Sequence, residues 1–376
     1  MKHVTPVHKN YFYLLDGIRG IAAVLVALRH TTLFFGTVEF QETYLAVDIF
    51  FLLSGVVLAN SYEKRLQSNL PFLQFLWIRL VRLYPLYLIS ILVSVSALVW
   101  APAFDGNVWL ATVLGLCFIP NYTTPNSQTL TFPLNTPAWS LFCELIANLA
   151  YAIFIRVLSN RVLVGIVLTS SLGMAIALYA HYGHTLDIGW SKGTVPVGML
   201  RVGYSFFGGV LMHRIFTAKN FSPLRGIAGA WLSLLLVGVV SAILMSSPNS
   251  SVQPYFDFFT VTVAFPLIVY AGLHVEPPHL GIRVCKVLGI ISYGVYVLHA
   301  PLSYLVEWVL LEQLNIKVGD YAPWSGIVFL TSLFFLTWCL DKLYDIPVRR
   351  FLLGSDSNPK LSENRKHQSA EVRAGE

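Results

Sequence analysis

Charge is what this sequence has least of. Only 12% of its 376 residues are Asp, Glu, Lys or Arg, about half the share found in ordinary soluble domains. Together with a hydrophobic content of 56% and a mean hydropathy of +0.65, that scarcity excludes a soluble globular fold. Cysteine is scarce too. Cys117, Cys143, Cys285 and Cys339 lie scattered in apolar segments with no CxxC spacing, which offers neither a zinc site nor a disulfide frame. No internal repeat is visible, which weakens a transporter built on inverted halves. A small-residue cleavage pattern is missing after the short polar head MKHVTPVHKNY, so the first apolar span is expected to stay with the chain.

What is present is a series of long apolar runs. The expected fold class is all-α, a polytopic membrane bundle of about ten spans: 14–35, 44–61, 83–100, 137–158, 162–182, 195–216, 226–246, 255–273, 287–311 and 323–346. Val108 to Ile119 is too short to cross and is expected to be re-entrant or interfacial. The net charge of +6 sits between spans, which points to membrane orientation and not to nucleic acid. With a cytoplasmic N-terminus the inner loops hold Lys64, Arg65, Arg79, Arg82, Arg156, Arg161, Arg214, Lys219, Arg225, Arg283, Lys286, Arg349 and Arg350. The outer loops hold only Lys192 and Lys317, as the positive-inside rule requires. An eleventh span at 108–119 would invert every later loop. The expectation is one membrane domain, 1–353, both termini cytoplasmic, and a disordered tail, 354–376. The polar, proline-rich outer segment from Pro120 to Pro137 reads either as a lid or as a connector.

The first span, LLDGIRGIAAVLVALRHTTLFF, carries Asp16, Arg19, Arg29 and His30. Arg19 and His30 are eleven residues apart, hence within roughly 20° of one helix face and ~16 Å apart along the axis. Ionisable groups at that depth line protein interiors or wet cavities. A snorkelling Arg and a hydrogen-bonded core His would explain either residue alone.

The second span, YLAVDIFFLLSGVVLANSYEKR, places Asp48 at a depth similar to His30, where a carboxylate would orient an imidazole as a general base. An isolated Asp reaching water is the other reading. Ser54 and Gly55 allow a helix or a thin ligand to come close. In FLWIRLVRLYPLYL, Arg79 and Arg82 are three apart and share a helix face at the inner surface. Two guanidiniums suit phosphate, although for the pair taken alone an ordinary positive-inside flank is the better reading. TPAWSLFCELIANLAY brings Trp139, Ser140 and Glu144, with Arg29 or Arg201 as partners for the carboxylate. LGIISYGVYVLHAPLSY holds Tyr293, Tyr296 and His299 at helical spacing, either an aromatic core stripe or part of a site.

These motifs in order resemble the acyltransferase-3 family of membrane acyltransferases: R-x10-H (Arg19, His30), FFLLSG ending at Ser54 and Gly55, RxxR (Arg79, Arg82), WSL with Glu144, and SY with His299. The resemblance covers about residues 10–350. One departure is Asp345 before Ile346 and Pro347, where the family often has Glu. The resemblance implies transfer of an acyl group, commonly acetyl from acetyl-CoA, to a hydroxyl of an extracytoplasmic glycan or a small glycosylated product. It implies acyl-CoA as co-substrate, no metal, a saccharide acceptor, the lipid bilayer as surroundings, a bacterial plasma membrane as location, and no nucleic-acid partner.

The expected division of labour follows. His30 is the base or a transient acyl carrier, and Asp48 or Glu144 orients it. Arg19, Ser54, Arg79 and Arg82 receive the acyl-CoA, while Trp139, Ser140, Tyr293 and His299 line the acceptor or support the site. The imidazole is expected to titrate near neutrality. A proton-coupled transporter would also hold intramembrane His, Asp, Glu and Arg, and it would move substrate without consuming acyl-CoA. The acceptor stays open among lipopolysaccharide, exopolysaccharide, lipo-oligosaccharide and secondary metabolites.

Overall fold

Apolar runs bounded by Pro, Gly and polar residues fold as helices because each run satisfies its own backbone groups, which lipid cannot do. A computed structural model describes residues 11–36, 40–100, 108–122, 129–180, 184–218 and 222–354. The expected tail and residues 123–128 of the outer segment lie outside them. The main helices are α1 (Tyr13–His30), α2 (Gln41–Ser68), α3 (Phe72–Trp100), α4 (Val108–Leu116), α5 (Ala138–Phe154) and α6 (Asn160–Ala180). They continue with α7 (Val195–Thr217), α8 (Gly226–Leu244), α9 (Gln253–Leu273), α10 (His279–Gln313) and α11 (Trp324–Leu353).

Among the described residues, eight helices are long and apolar enough to cross a membrane. The shorter α1 and α5, of 18 and 17 residues, complete the ten expected positions. The nine residues of α4 span about 14 Å against a ~30 Å hydrocarbon core, so its length agrees with a segment that does not cross. The third span differs from expectation. It starts at Phe72, directly after Pro71, because no breaker lies between that proline and Pro85, and the helix continues through the second proline. Arg79 and Arg82 therefore lie inside α3 and not ahead of it.

Helix ends that share basic residues also meet one another. Arg214 bonds Glu63 at 2.7 Å, Arg225 bonds Glu276 at 2.6 Å, and Arg349 donates to the Arg82 carbonyl at 2.9 Å. At the opposite end Arg29 meets Asp187 at 2.5 Å, Tyr44 meets Asp257 at 2.8 Å, and Ser325 donates to the Phe34 carbonyl at 2.9 Å. The two groups are the inner and outer ends of the charge-based reading, so the alternation of the helices is internally consistent.

Two helix crossings position the site. At the first, α2 meets α7 with backbone against backbone: a Cβ on Gly55 would fall 2.0 Å from the Phe206 carbonyl oxygen, and one on Gly209 2.2 Å from that of Leu52. No side chain larger than hydrogen fits either position. The small residue beside Ser54 thus serves a neighbouring helix. At the second, α1 runs along α10 as the most extensive helix pair in the chain, with partners offset by 269–273 residues at both ends of the contact. A constant offset of that kind means that the two helices are parallel and in register.

Candidate active site

The residues of the five motifs fold into two polar clusters joined by α10. In the first, on the inner half of the α1–α10 seam, the Arg19 guanidinium donates from Nε to Ser292 Oγ at 3.0 Å and from Nη2 to the Gly289 carbonyl at 2.9 Å. It also pairs with Asp16 at 3.0 Å, one turn back on its own helix. At the outer end of the same seam His30 faces His299, with 3.1 Å between His30 Nδ1 and His299 Nε2. His30 is exposed, whereas His299 is fully buried at 0%. The spacing of Arg19 and His30 thus matches two partners on one neighbouring helix.

The second cluster joins α2, α3 and α5. Glu144 Oε1 accepts from Ser54 Oγ at 2.5 Å and from Arg79 Nη2 at 3.1 Å. Asn148, one turn further along α5, sets its amide against Arg79; because a guanidinium only donates, the amide oxygen is assigned to that side, accepting from Nε at 3.1 Å and Nη2 at 3.0 Å. Arg79 is 5% exposed. A cation this deep is tolerable because its charge and its donors are matched. Glu144 is also near enough to Tyr293 and Tyr296 to interact with both electrostatically. Tyr296 shares a 2.6 Å hydrogen bond with Ser140 and packs its ring on Phe50 at 5.2 Å and on His299 at 6.0 Å. Tyr293 donates to the Leu83 carbonyl at 2.5 Å. One face of α10 therefore carries Ser292, Tyr293, Tyr296 and His299 past every motif in turn.

Each motif is short, yet the set occurs in order over nearly the whole chain, and a family comparison decides what it is. The model of the acyltransferase-3 family, described as an acyltransferase domain, matches residues 12–340. The chain belongs to this family. The acyltransferase is 23% identical to the peptidoglycan O-acetyltransferase OatA of Listeria monocytogenes over 93% of its own length and 58% of the relative's. It is 27% identical to the acyltransferase MdmB of Streptomyces mycarofaciens, over 76% of this chain and 77% of that one. A third relative, protein 2 in the picA locus of Rhizobium radiobacter, is 40% identical over 38% of this chain and 81% of its own. No solved structure matches it.

Several expected partnerships in the acyltransferase are different from those observed. Asp48 does not reach His30. It is 1% exposed and accepts from Arg201 Nη2 at 2.6 Å and Nε at 3.3 Å. Arg201 sends its remaining donors to the carbonyls of Leu186 (2.8 Å), Ile188 (2.9 Å) and Tyr44 (3.0 Å). All five guanidinium N–H groups are thereby used, and the cation lies 5.5 Å over the Trp139 ring. The crossing of α2 and α7 at Gly55 and Gly209 brings Asp48 to Arg201, and two buried opposite charges bind each other in preference to a neutral ring. Glu144 takes Arg79 instead of Arg29 or Arg201, because α3 extends to Phe72 and carries Arg79 to the depth of α5. Arg79 and Arg82 consequently part: the first is buried on Glu144, and the second is exposed at the inner end.

The sequence pattern identifies neither Arg201 as the partner of Asp48 nor Asn148 as that of Arg79. Both contacts are long-range in sequence, and only the helix crossings select them. Arg29 is bound by Asp187 and by the Gln41 carbonyl, and it lies 5.3 Å from the Tyr44 ring. It precedes His30 in the last turn of α1.

Proposed function

We propose that this integral membrane acyltransferase moves an acyl group, acetyl in the first instance, from cytoplasmic acyl-CoA to a hydroxyl of an extracytoplasmic glycan or glycosylated product, with His30 as general base. The observation that carries the assignment is the contrast among the three candidate bases. Asp48 lies in a buried, fully matched ion pair and Glu144 holds Arg79 and Ser54, while His30 is exposed. An imidazole can both take up and return a proton at working pH.

The donor arrives from the inner end, where Arg82 offers an exposed fork for phosphate. The pantetheine arm runs alongside the α1–α10 seam, and the levels of Arg19 and His30 are roughly 16 Å apart, about the reach of that arm. His30 then accepts the proton of the acceptor hydroxyl as its oxygen attacks the thioester carbonyl. The C–S bond breaks, and the thiolate recovers the proton from the imidazolium. The protein sits in a bacterial plasma membrane with both termini inside, as supported by the distribution of Lys and Arg.

The test is purified protein in nanodiscs, with acyl-CoA binding and acyl transfer measured separately. His30→Gln keeps size and hydrogen bonding but removes the base, so binding should persist while transfer falls by a factor on the order of 10²–10⁴. Transfer in the wild type should rise with pH through the imidazole pKa, because the protonated ring has no lone pair to offer. Near-normal transfer by His30→Gln would end the assignment. Surface glycans from cells with and without the gene, compared by mass, identify the acceptor.

A further inference from the structure

The pair of imidazoles can be assigned its protons from its hydrogen bonds alone. His299 Nδ1 lies 3.0 Å from the Val295 carbonyl oxygen, which can only accept, so His299 carries its proton on Nδ1 and its Nε2 presents a lone pair. That Nε2 faces His30 Nδ1 at 3.1 Å, and His30 Nδ1 also lies 2.9 Å from the Val26 carbonyl oxygen. Both neighbours of His30 Nδ1 are acceptors, so this atom is the donor, and its one proton is shared between the Val26 carbonyl and His299 Nε2. Neutral His30 then has one unprotonated nitrogen, Nε2. The opposite assignment would set lone pairs against carbonyl oxygens at both rings.

We infer that His299 is the positioning residue of the catalytic base: it accepts from His30 Nδ1, holds the ring in the tautomer that exposes Nε2, and steadies the imidazolium that forms during transfer. This rests on the reading of His30 as base. His299 is well built for the task. It is completely buried, its Nδ1 is tied to its own helix, and the Tyr296 ring backs it at 6.0 Å. That ring is itself fixed through its hydroxyl to Ser140 at 2.6 Å and to the Pro137 carbonyl at 3.3 Å.

A neutral acceptor in this place differs from a carboxylate in two ways. It stabilises the imidazolium less, so the ring gives its proton back to the leaving thiolate readily. It also cannot pass a proton onward, because its own N–H points at a carbonyl oxygen. The proton taken at Nε2 therefore returns from Nε2. The charged groups around the pair are Arg29 on α1, itself held by Asp187 from the segment before α7, while on α10 the neighbouring titratable group is the Tyr296 hydroxyl. Asp48 is occupied by Arg201.

The experiment reads His30 without turnover. Diethyl pyrocarbonate carbethoxylates an unprotonated imidazole nitrogen, and its rate at His30, followed by peptide mass across pH, reports both the access and the basicity of that ring. Wild type, His299→Leu and His299→Gln are compared in nanodiscs, with acyl transfer measured in parallel and the folded fraction taken from thermal unfolding. With His299→Leu the His30 profile should move to lower pH by about one unit, the size of one hydrogen bond to a charged group. Transfer should fall on the order of 10–100-fold. His299→Gln, whose side-chain oxygen can accept from Nδ1, should recover most of both, which also covers the case in which the Leu variant fails to fold. An unchanged His30 profile in His299→Leu would overturn the inference even if transfer were lost. A shifted profile with unchanged transfer would overturn it as well, since the positioning would then have no bearing on the reaction, and His30→Gln separately decides whether His30 is the base.

Discussion

At the scale of single residues, the charges divide into buried ones that hold the protein together and an exposed one, Arg82, that is open to a ligand. Removing the partner of a fully buried ion costs more than the pair contributes, because the remaining charge is stranded. Asp48→Asn should therefore destabilise the protein by about 3–5 kcal/mol, seen as a lowered unfolding midpoint, while the transfer rate per folded molecule stays within a few-fold. A loss of rate without a loss of stability would return Asp48 to the chemistry. The two arginines of α3 should behave oppositely. Arg82→Ala should weaken acyl-CoA binding with little change in stability, and Lys at that position should recover only part of it, since a point charge lacks the forked geometry. Arg79→Ala should destabilise, because it leaves Glu144 and Asn148 without their partner. Equal binding defects in both variants would contradict this division. The chemistry of these residues was legible in the sequence, and their partners were not. Residue type and approximate depth marked His30, Asp48, Glu144 and Arg79 as unusual, but depth alone let Asp48 face either His30 or Arg201.

At the scale of elements, the decisive relation is the register of α1 and α10. The expected spacing of Arg19 and His30 survives intact, since it depends only on helix geometry. What the sequence could not state is that a second helix would meet both residues at a nearly constant offset. That contact depends on close approach: a Cβ on Gly20 would lie 2.4 Å from Leu288 Cβ and 2.8 Å from the Leu288 carbonyl carbon and oxygen. Gly20→Ala should consequently push the helices apart, reduce transfer and shift the carbethoxylation profile of His30 in the direction of His299→Leu. Gly165→Ala on α6, where a Cβ would meet nothing within 4 Å, is the control. It should be neutral or slightly stabilising, because Ala is the better helix residue by roughly 0.5–1 kcal/mol. The extent of α3 belongs to this scale as well. The charged pair in FLWIRLVRLYP suggested a flank, whereas the absence of any breaker between Pro71 and Pro85 lets the helix run through it.

At the scale of the whole molecule, the number and alternation of helices were readable because they follow from two sums, apolar length and the side on which Lys and Arg collect. The meeting of Arg214 with Glu63 and of Arg225 with Glu276 at one end fits that alternation. The orientation itself is tested by single cysteines on a background lacking Cys117, Cys143, Cys285 and Cys339. Arg225→Cys should react with an impermeant thiol reagent only from the cytoplasm, and Lys317→Cys only from outside. The reverse pattern would turn the protein over.

The partnership of His30 with His299 also sets an order of events during biosynthesis. The two residues are 269 positions apart, so at ribosomal speeds of about 5–20 residues per second the first leaves the tunnel roughly 15–50 s before the second. Throughout that interval α1 exists without the α10 groups that Arg19 and His30 meet in the folded protein, Ser292, the Gly289 carbonyl and His299, and Arg19 has Asp16 on its own helix as partner. A nascent chain released before residue 279 would keep the Arg19–Asp16 pair within α1 and lack the two α10 acceptors that complete the guanidinium's bonding.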